Sequence, residues 1–225
     1  MSESTNNSTQ TLKIAPVPTL RRLPVYLDLL KRLQQAETEN VSCTRIANEL
    51  DILPIQVRKD IEITGIRGTP RIGYSVAEMI RAIEAFLGWD NTHHAFLVGA
   101  GHLGSAIMGY QGFRENGLEI VAAFDIDAAI IGTSIHGIRV LPLSKLSDLA
   151  RRMKIKIGII TVPAQAAQSA ADLMTDAGIK AIWNFAPAHL NVPPNIILQN
   201  EHLAASFAIL SQRLTADANT TKEQK

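Results

Sequence analysis

Between His94 and Gly104 the chain reads His-Ala-Phe-Leu-Val-Gly-Ala-Gly-His-Leu-Gly, an apolar run that gives way to glycines at Gly-x-Gly-x-x-Gly spacing. A helix-compatible segment, Ser105 to Gln111, follows. This is the order of parallel strand, tight turn and helix start found in dinucleotide-binding folds. Gly99 is expected to allow the turn, Gly101 to let the backbone approach a pyrophosphate, and Gly104 to let the helix pack close to the strand. Ala100, His102 and Leu103 complete the loop, and the free N–H groups at the helix start face the phosphates. The glycines alone are a weak signal. Their usual companion is also present, because Leu118–Phe124 reads as the next strand and ends at Asp125, about 20 residues after Gly104. A carboxylate there accepts from both ribose hydroxyls and repels a 2′-phosphate, which makes NAD(H) the expected ligand. The plain alternative is a glycine turn in an α/β sheet that binds nothing.

A chain of 225 residues, 46% hydrophobic, can build one large core or two small ones. A formal charge of +1 excludes a generally basic protein, so any DNA contact must come from a local patch. Cys43 is the single cysteine, which excludes an intramolecular disulfide and a cysteine-rich metal site; it reads as a small packed residue in a helix. The sequence has no signal-peptide core and no apolar run of membrane-spanning length, so a cytoplasmic protein without a membrane partner is expected. Met1–Gln10 and Thr215–Lys225 are polar and aperiodic and read as disordered tails.

The first helix is predicted from Thr19 as N-cap, with Leu20, Leu23, Leu27, Leu30 and Leu33 as its apolar stripe and Pro24 near the first turn. Ser42 caps a short second helix carrying Ile46, Ala47 and Leu50. Asp51-Ile52-Leu53 turns the chain, and Pro54 opens a third helix that stops at Gly65. Helix, short turn and helix is the helix-turn-helix arrangement. On the third helix Val57 and Ile61 face inward, leaving Gln56, Arg58, Lys59 and Glu62 outside. Arg and Lys suit phosphates or guanine edges, and Gln suits adenine. A small helical bundle with a charged surface is the alternative. Ile66 to Tyr74 makes a β-wing that offers Arg67 and Arg71 to a minor groove. Ser75 to Glu78 is a capping box that opens a helix closed by Gly88, and the change of period at Trp89–Thr92 marks a domain boundary.

Beyond Asp125, strands at Ile138–Leu141, Lys156–Ile160 and Ile179–Trp183 alternate with helices at Leu146–Met153 and Ala164–Ala177. Ile196–Leu198 adds a last strand. Such alternation predicts a doubly wound parallel sheet whose carboxyl-end loops form the ligand crevice, with Thr161 and Asn184 placed to reach the cofactor. A final helix from Glu201 to Leu214 carries Leu203, Phe207, Leu210 and Leu214 in one stripe, expected to pack outside its own domain. The domain reading is a tail over 1–15, a winged helix over 16–88, a Rossmann domain over 92–200, a dimerisation helix over 201–214 and a tail over 215–225.

The order of parts resembles the Rex family of bacterial redox-sensing repressors from about Pro16 to Leu210. The resemblance rests on Arg22-Leu23-Pro24 with Tyr26, Gln56-Val57-Arg58-Lys59-Asp60, the glycine loop, Phe124-Asp125-Ile126-Asp127, Thr161-Val162-Pro163, and Gly178-Ile179-Lys180 through Asn184-Phe185-Ala186-Pro187. It implies a homodimer that holds a double-stranded operator, an inverted repeat, when free or NAD⁺-bound and releases it on binding NADH. It also implies a C-terminal helix exchanged between protomers and lying between the partner's domains. Ile126, Tyr110, Val162, Pro163 and Phe185 join the cofactor set on the same basis. Three departures stand out. Glu62, Ile63 and Thr64 replace the family's Ser and aromatic, and Arg71 replaces a wing glycine. Asp28 and His202 stand where the family has an arginine and an aspartate, which together with Tyr110 form its NADH-sensing network. The reading is a NADH-responsive repressor. Its rivals are a DNA-binding protein that has lost sensing and a small NAD-dependent oxidoreductase. Against the oxidoreductase, no Lys/His/Tyr–Ser constellation suited to proton transfer lies near the crevice, and the histidines are scattered.

Overall fold

The computed structural model describes residues 15–223, and the chain divides between Asn91 and Thr92 into two units with separate cores. In the first unit, α1 (Val17–Gln35) starts three residues earlier than expected, with Pro16 at the cap and Pro18 in the first turn, where its missing N–H is no loss. Thr19 is therefore inside the helix, and its hydroxyl donates to Asp60 at 2.9 Å instead of capping. Pro24 lies in the helix interior, not near the first turn. The helix continues through it because Leu23, Tyr26, Leu27, Leu30 and Leu33 are buried along one side, and packing outweighs a local cost of about 3 kcal/mol.

After β1 (Asn40–Val41), α2 (Cys43–Leu50) is capped by Ser42, which accepts from the N–H of Arg45 at 3.1 Å. Asp51, at φ 52°, makes the left-handed turn into α3 (Pro54–Glu62). The predicted wing has one isolated bridge, Thr69 to Gly73, before β2 (Tyr74–Ser75) pairs antiparallel with β1. In α4 (Val76–Leu87), Ser75 accepts from the N–H of Glu78 at 3.4 Å, and Gly88 ends the helix at φ 71°.

The second unit runs β3 (His93–Val98), α5 (His102–Gly109), α6 (Gln111–Glu115), β4 (Leu118–Asp125), β5 (Ser134–Ile135), β6 (Ile138–Pro142), α7 (Leu146–Met153), β7 (Ile157–Ile160), α8 (Ala164–Asp176), β8 (Ala181–Asn184), β9 (Ile197–Asn200) and α9 (Leu203–Glu223). The strand order is β5-β6-β4-β3-β7-β8-β9, and every neighbouring pair except β5–β6 is parallel. Without its β5 edge this is the doubly wound dinucleotide order, whose direction of winding reverses between β3 and β7. Alternation along β3 sends Phe96 and Val98 into the core under α7 and α8, and Ala95 and Leu97 into the core under α5. Burial on both faces explains why Ala95–Val98 are all apolar, while the exposed first two positions are histidines.

Three local expectations change. α5 starts at His102 rather than Ser105 and stops at Gly109, because Tyr110 is extended (φ −77°, ψ 106°) and separates it from α6. Between β4 and β6 the chain forms the unpredicted edge strand β5, turning on His136 at φ 49° and Gly137 at φ 82°. The tail expected over 215–225 is helical as far as Glu223, since no glycine or proline interrupts the sequence after Leu214. The tail expected over Met1–Gln10 lies outside the described residues. No helix among them is long and apolar enough to cross a membrane.

Candidate cofactor site and nucleic-acid interface

The glycine loop sits at the winding reversal, between the carboxyl ends of β3 and β7. Gly99 has φ 98°, and a Cβ there would meet Val162 Cγ1 at 2.8 Å. A Cβ on Gly104 would run into the carbonyl oxygen of Gly99, so only glycine lets α5 come this close to the strand end. A Cβ on Gly101 would meet no protein atom within 4 Å. The backbone at Gly101 is therefore left open at the start of α5. The N–H groups of the first turn of α5, starting at His102, have no intrahelical partner and carry the positive end of the helix dipole. Glycines and donors together fit a pyrophosphate.

Asp125, at the end of β4, is half-buried and ties the loop down. One carboxylate oxygen accepts from the N–H of Ala100 at 2.7 Å, and the other accepts from Ile126 at 2.7 Å and Asp127 at 3.0 Å. A carboxylate has about four acceptor sites. Three are engaged, so contact with both ribose hydroxyls requires one main-chain bond to yield. The loop anchor is a role that residue spacing did not reveal. Ile126 is 81% exposed beside it.

Thr161 and Asn184, expected to reach the cofactor, both hold hydrogen bonds within the chain. The Thr161 hydroxyl, at the end of β7, faces the carbonyl oxygens of Gly99 at 2.7 Å and Val98 at 3.0 Å, so its proton is spent on the glycine turn. Asn184 is buried; its amide donates toward Ala186 O, Ala188 O and Asn200 Oδ1, and its oxygen accepts from the N–H of Ala186. Both side chains hold the crevice in shape. Val162 packs on Gly99, Pro163 caps α8, and Phe185 is half-buried.

Tyr110 is 61% exposed at the break between α5 and α6. It begins a chain of aromatic contacts that sequence spacing could not show. Tyr110 meets Phe113 at 4.8 Å between centroids, Phe113 meets Trp183 at 5.2 Å, and Trp183 meets Phe185 at 4.9 Å. The Trp183 indole donates to Glu201 at 2.9 Å, next to the exposed His202 and the start of α9. On α9 itself Phe207, Ile209, Leu210 and Leu214 are each more than half exposed.

In the first unit Arg58, Lys59, Arg67 and Arg71 are all exposed. Arg71, which stands where the resemblance expects glycine, has φ 67°, a left-handed conformation that costs a side-chain-bearing residue about 1–2 kcal/mol. Gln56 differs from the other recognition candidates: it is half-buried, and its amide donates to Asp60 at 3.1 Å. Asp60 is 1% exposed and also accepts from Arg22 (2.6 and 2.9 Å), Tyr26 (2.7 Å) and Thr19 (2.9 Å). Burial alone would raise its pKa; the donors, Arg22 first, outweigh burial and hold the carboxyl below the usual range. Burial and the same carboxylate push the Tyr26 phenol up, and the hydrogen bond to Asp60 raises Arg22 further. No group of metal-ligating side chains occurs among the described residues. Asp28 is exposed on α1.

Residues 90–188 match the family model described as "CoA binding domain", and residues 14–61 the one described as "Putative DNA-binding protein N-terminus". The chain is 48% identical over 198 residues to the redox-sensing transcriptional repressor Rex of Treponema denticola, a match covering 88% of this chain and 94% of that protein. It is 44% identical over 199 residues to the protein of the same name from Porphyromonas gingivalis, covering 88% and 91%. Among solved structures, RSP in complex with β-NAD⁺ and operator DNA matches with a TM-score of 0.85 at 34% identity, covering 94% of this chain and 97% of that one. RSP with β-NADH matches with a TM-score of 0.83 at 34% identity, covering 93% and 98%. RSP is itself described as a Rex-family repressor.

Proposed function

The chain belongs to the Rex family of redox-sensing transcriptional repressors, and we propose that it holds a double-stranded operator through its first unit and releases it when NADH binds the second. One observation carries the cofactor half of this reading: the Gly101 cradle is open to no protein atom, beside a helix N-terminus and a fixed carboxylate. Gly99, Ala100, Gly101, His102, Leu103 and Gly104 receive the pyrophosphate, and Asp125 and Ile126 the adenosine ribose. Thr161, Val162, Pro163, Asn184 and Phe185 shape the crevice at the carboxyl ends of β7 and β8. Bound NAD(H) supplies the redox state to be read; the chain's residues bind it and transfer no hydride. Arg58, Lys59, Arg67 and Arg71 meet phosphates or groove edges of an inverted-repeat site, with Gln56 reading a base.

The working form in this proposal is a cytoplasmic homodimer that buries the apolar side chains of α9 against a second protomer. Asp28, Tyr110 and His202 form the switch, with the carboxylate on α1 and the imidazole on the C-terminal segment. A gel-shift series on an operator duplex with NAD⁺ and with NADH tests the reading. The duplex is expected to stay bound with NAD⁺ and to be released by NADH. Release by neither cofactor leaves a repressor without sensing; steady consumption of NADH with a carbonyl substrate makes the protein an oxidoreductase.

A further inference from the structure

Five hydrogen bonds converge on the buried Asp60 carboxylate, and one of them comes from a residue that faces DNA in the proposed function. Gln56 is the third residue of α3, and the N-terminal residues of a recognition helix are those that contact base edges. Asp60 lies one turn further along the same helix. The carboxylate is an acceptor only, so the Gln56 amide must turn its nitrogen toward it; the flipped amide would set a carbonyl oxygen against a buried negative charge. One N–H of the amide is spent on Asp60 at 3.1 Å. The other N–H and the carbonyl oxygen remain, and these are the donor and acceptor that pair with N7 and N6 of adenine.

Asp60 is itself immobilised from α1. Arg22 grips both carboxylate oxygens, Tyr26 donates to one and Thr19 to the other. The orientation of a base-reading side chain is thus set by α1 residues 30 or more positions away in sequence. We propose that Asp60 is a specificity-determining positioning residue: it fixes which edge of the Gln56 amide is presented to DNA, and through it α1 tunes the base preference at one operator position. This rests on the operator-binding reading above.

The test is selection of bound sites from a randomised duplex library by the full-length protein, followed by competition with singly substituted duplexes of the selected site. The proteins compared are wild type, Gln56→Ala, Asp60→Asn and the double variant. Asn at 60 keeps the shape but can present either a donor or an acceptor, so it frees the Gln56 amide to flip. Gln56→Ala should lose on the order of 10-fold discrimination at one base pair. Asp60→Asn should flatten the preference at that same pair, and the double variant should lose no more than either single one. A uniform fall in affinity across all duplexes in Asp60→Asn, with base preference intact, would reduce Asp60 to a structural residue and overturn the proposal. So would Gln56→Ala with unchanged preference at every position, a result that does not depend on how well Asp60→Asn folds. Failure of the wild type to enrich any duplex would overturn the operator reading itself, and this inference with it.

Discussion

Replacing Asp125 by alanine removes two functions at once, and the structure separates their sizes. The first is the ribose acceptor of the proposed function. A charge-assisted hydrogen bond of this kind contributes about 1.5–3 kcal/mol, so NADH should bind roughly 10- to 150-fold more weakly. The second is the anchor of the glycine loop, because the N–H groups of Ala100, Ile126 and Asp127 lose their acceptor. Ile126 and Asp127 are exposed and regain water, whereas Ala100 is buried. One stranded buried N–H costs about 1–3 kcal/mol, a loss that should appear as a lower melting temperature in the absence of any cofactor. Asparagine at 125 does not rescue the loop fully, since an amide satisfies the Ile126 and Asp127 donors only by turning its own N–H groups toward Ala100. Fluorescence titration with NADH and with NADPH measures the first effect, and thermal unfolding of the free protein the second. The native protein should prefer NADH, because a 2′-phosphate would face the carboxylate, and the preference should collapse in Asp125→Ala. Equal native affinity for the two cofactors, or a ratio unchanged by the substitution, would refute the reasoning.

Lys59→Ala should flatten the dependence of operator affinity on salt by about one unit of log–log slope and leave NADH affinity as it was; an unaltered slope returns α3 to a charged helix surface. Asp60→Ala strands the buried hydroxyls of Tyr26 and Thr19, while Arg22 can turn partly to water, so the loss of stability should be about 3 kcal/mol, near the low end for a broken buried pair. Because the folded carboxyl titrates below its unfolded value of about 3.9, its contribution is complete above that pH and is lost as pH falls through the folded value. Acid unfolding of Asp60→Asn should therefore be flatter below about pH 4 than that of the native protein. Asp28→Asn and His202→Gln should each weaken NADH-driven release of DNA if these side chains form the proposed switch; release as in the native protein removes them from it.

The glycine loop was legible in the sequence because each of its demands is local: a turn at Gly99, contact across five residues at Gly104, and an opening at Gly101. The sheet followed from apolar runs bounded by turn residues. The Asp60 network was not legible, since Thr19, Arg22 and Tyr26 are 34 to 41 positions away and a lone aspartate on a polar helix reads as exposed. Thr161 and Asn184 were correctly placed at strand ends, but spacing does not say whether a side chain turns toward a ligand or back into the turn. The break at Tyr110 did leave a trace. A Cβ on Gly112 would meet the Tyr110 ring at 2.7 Å, and one on Gly109 would meet His136 at 2.8 Å, so two glycines in a helix-like stretch mark where rings need room. The early start of α1 was missed because Thr19 resembles a cap until its partner is seen.

The exposed side chains of α9 make the protein's own abundance a thermodynamic variable. A stripe of Phe207, Leu210 and Leu214 left in water opposes the isolated chain, and covering it with a second copy links every ligand equilibrium to chain concentration by mass action. In the homodimer proposed above, the NADH level at which DNA is released is then not a constant of the molecule. A ligand favoured by the paired form binds more weakly as the protein is diluted, and a cell that makes more of the chain shifts the set point of its own redox response.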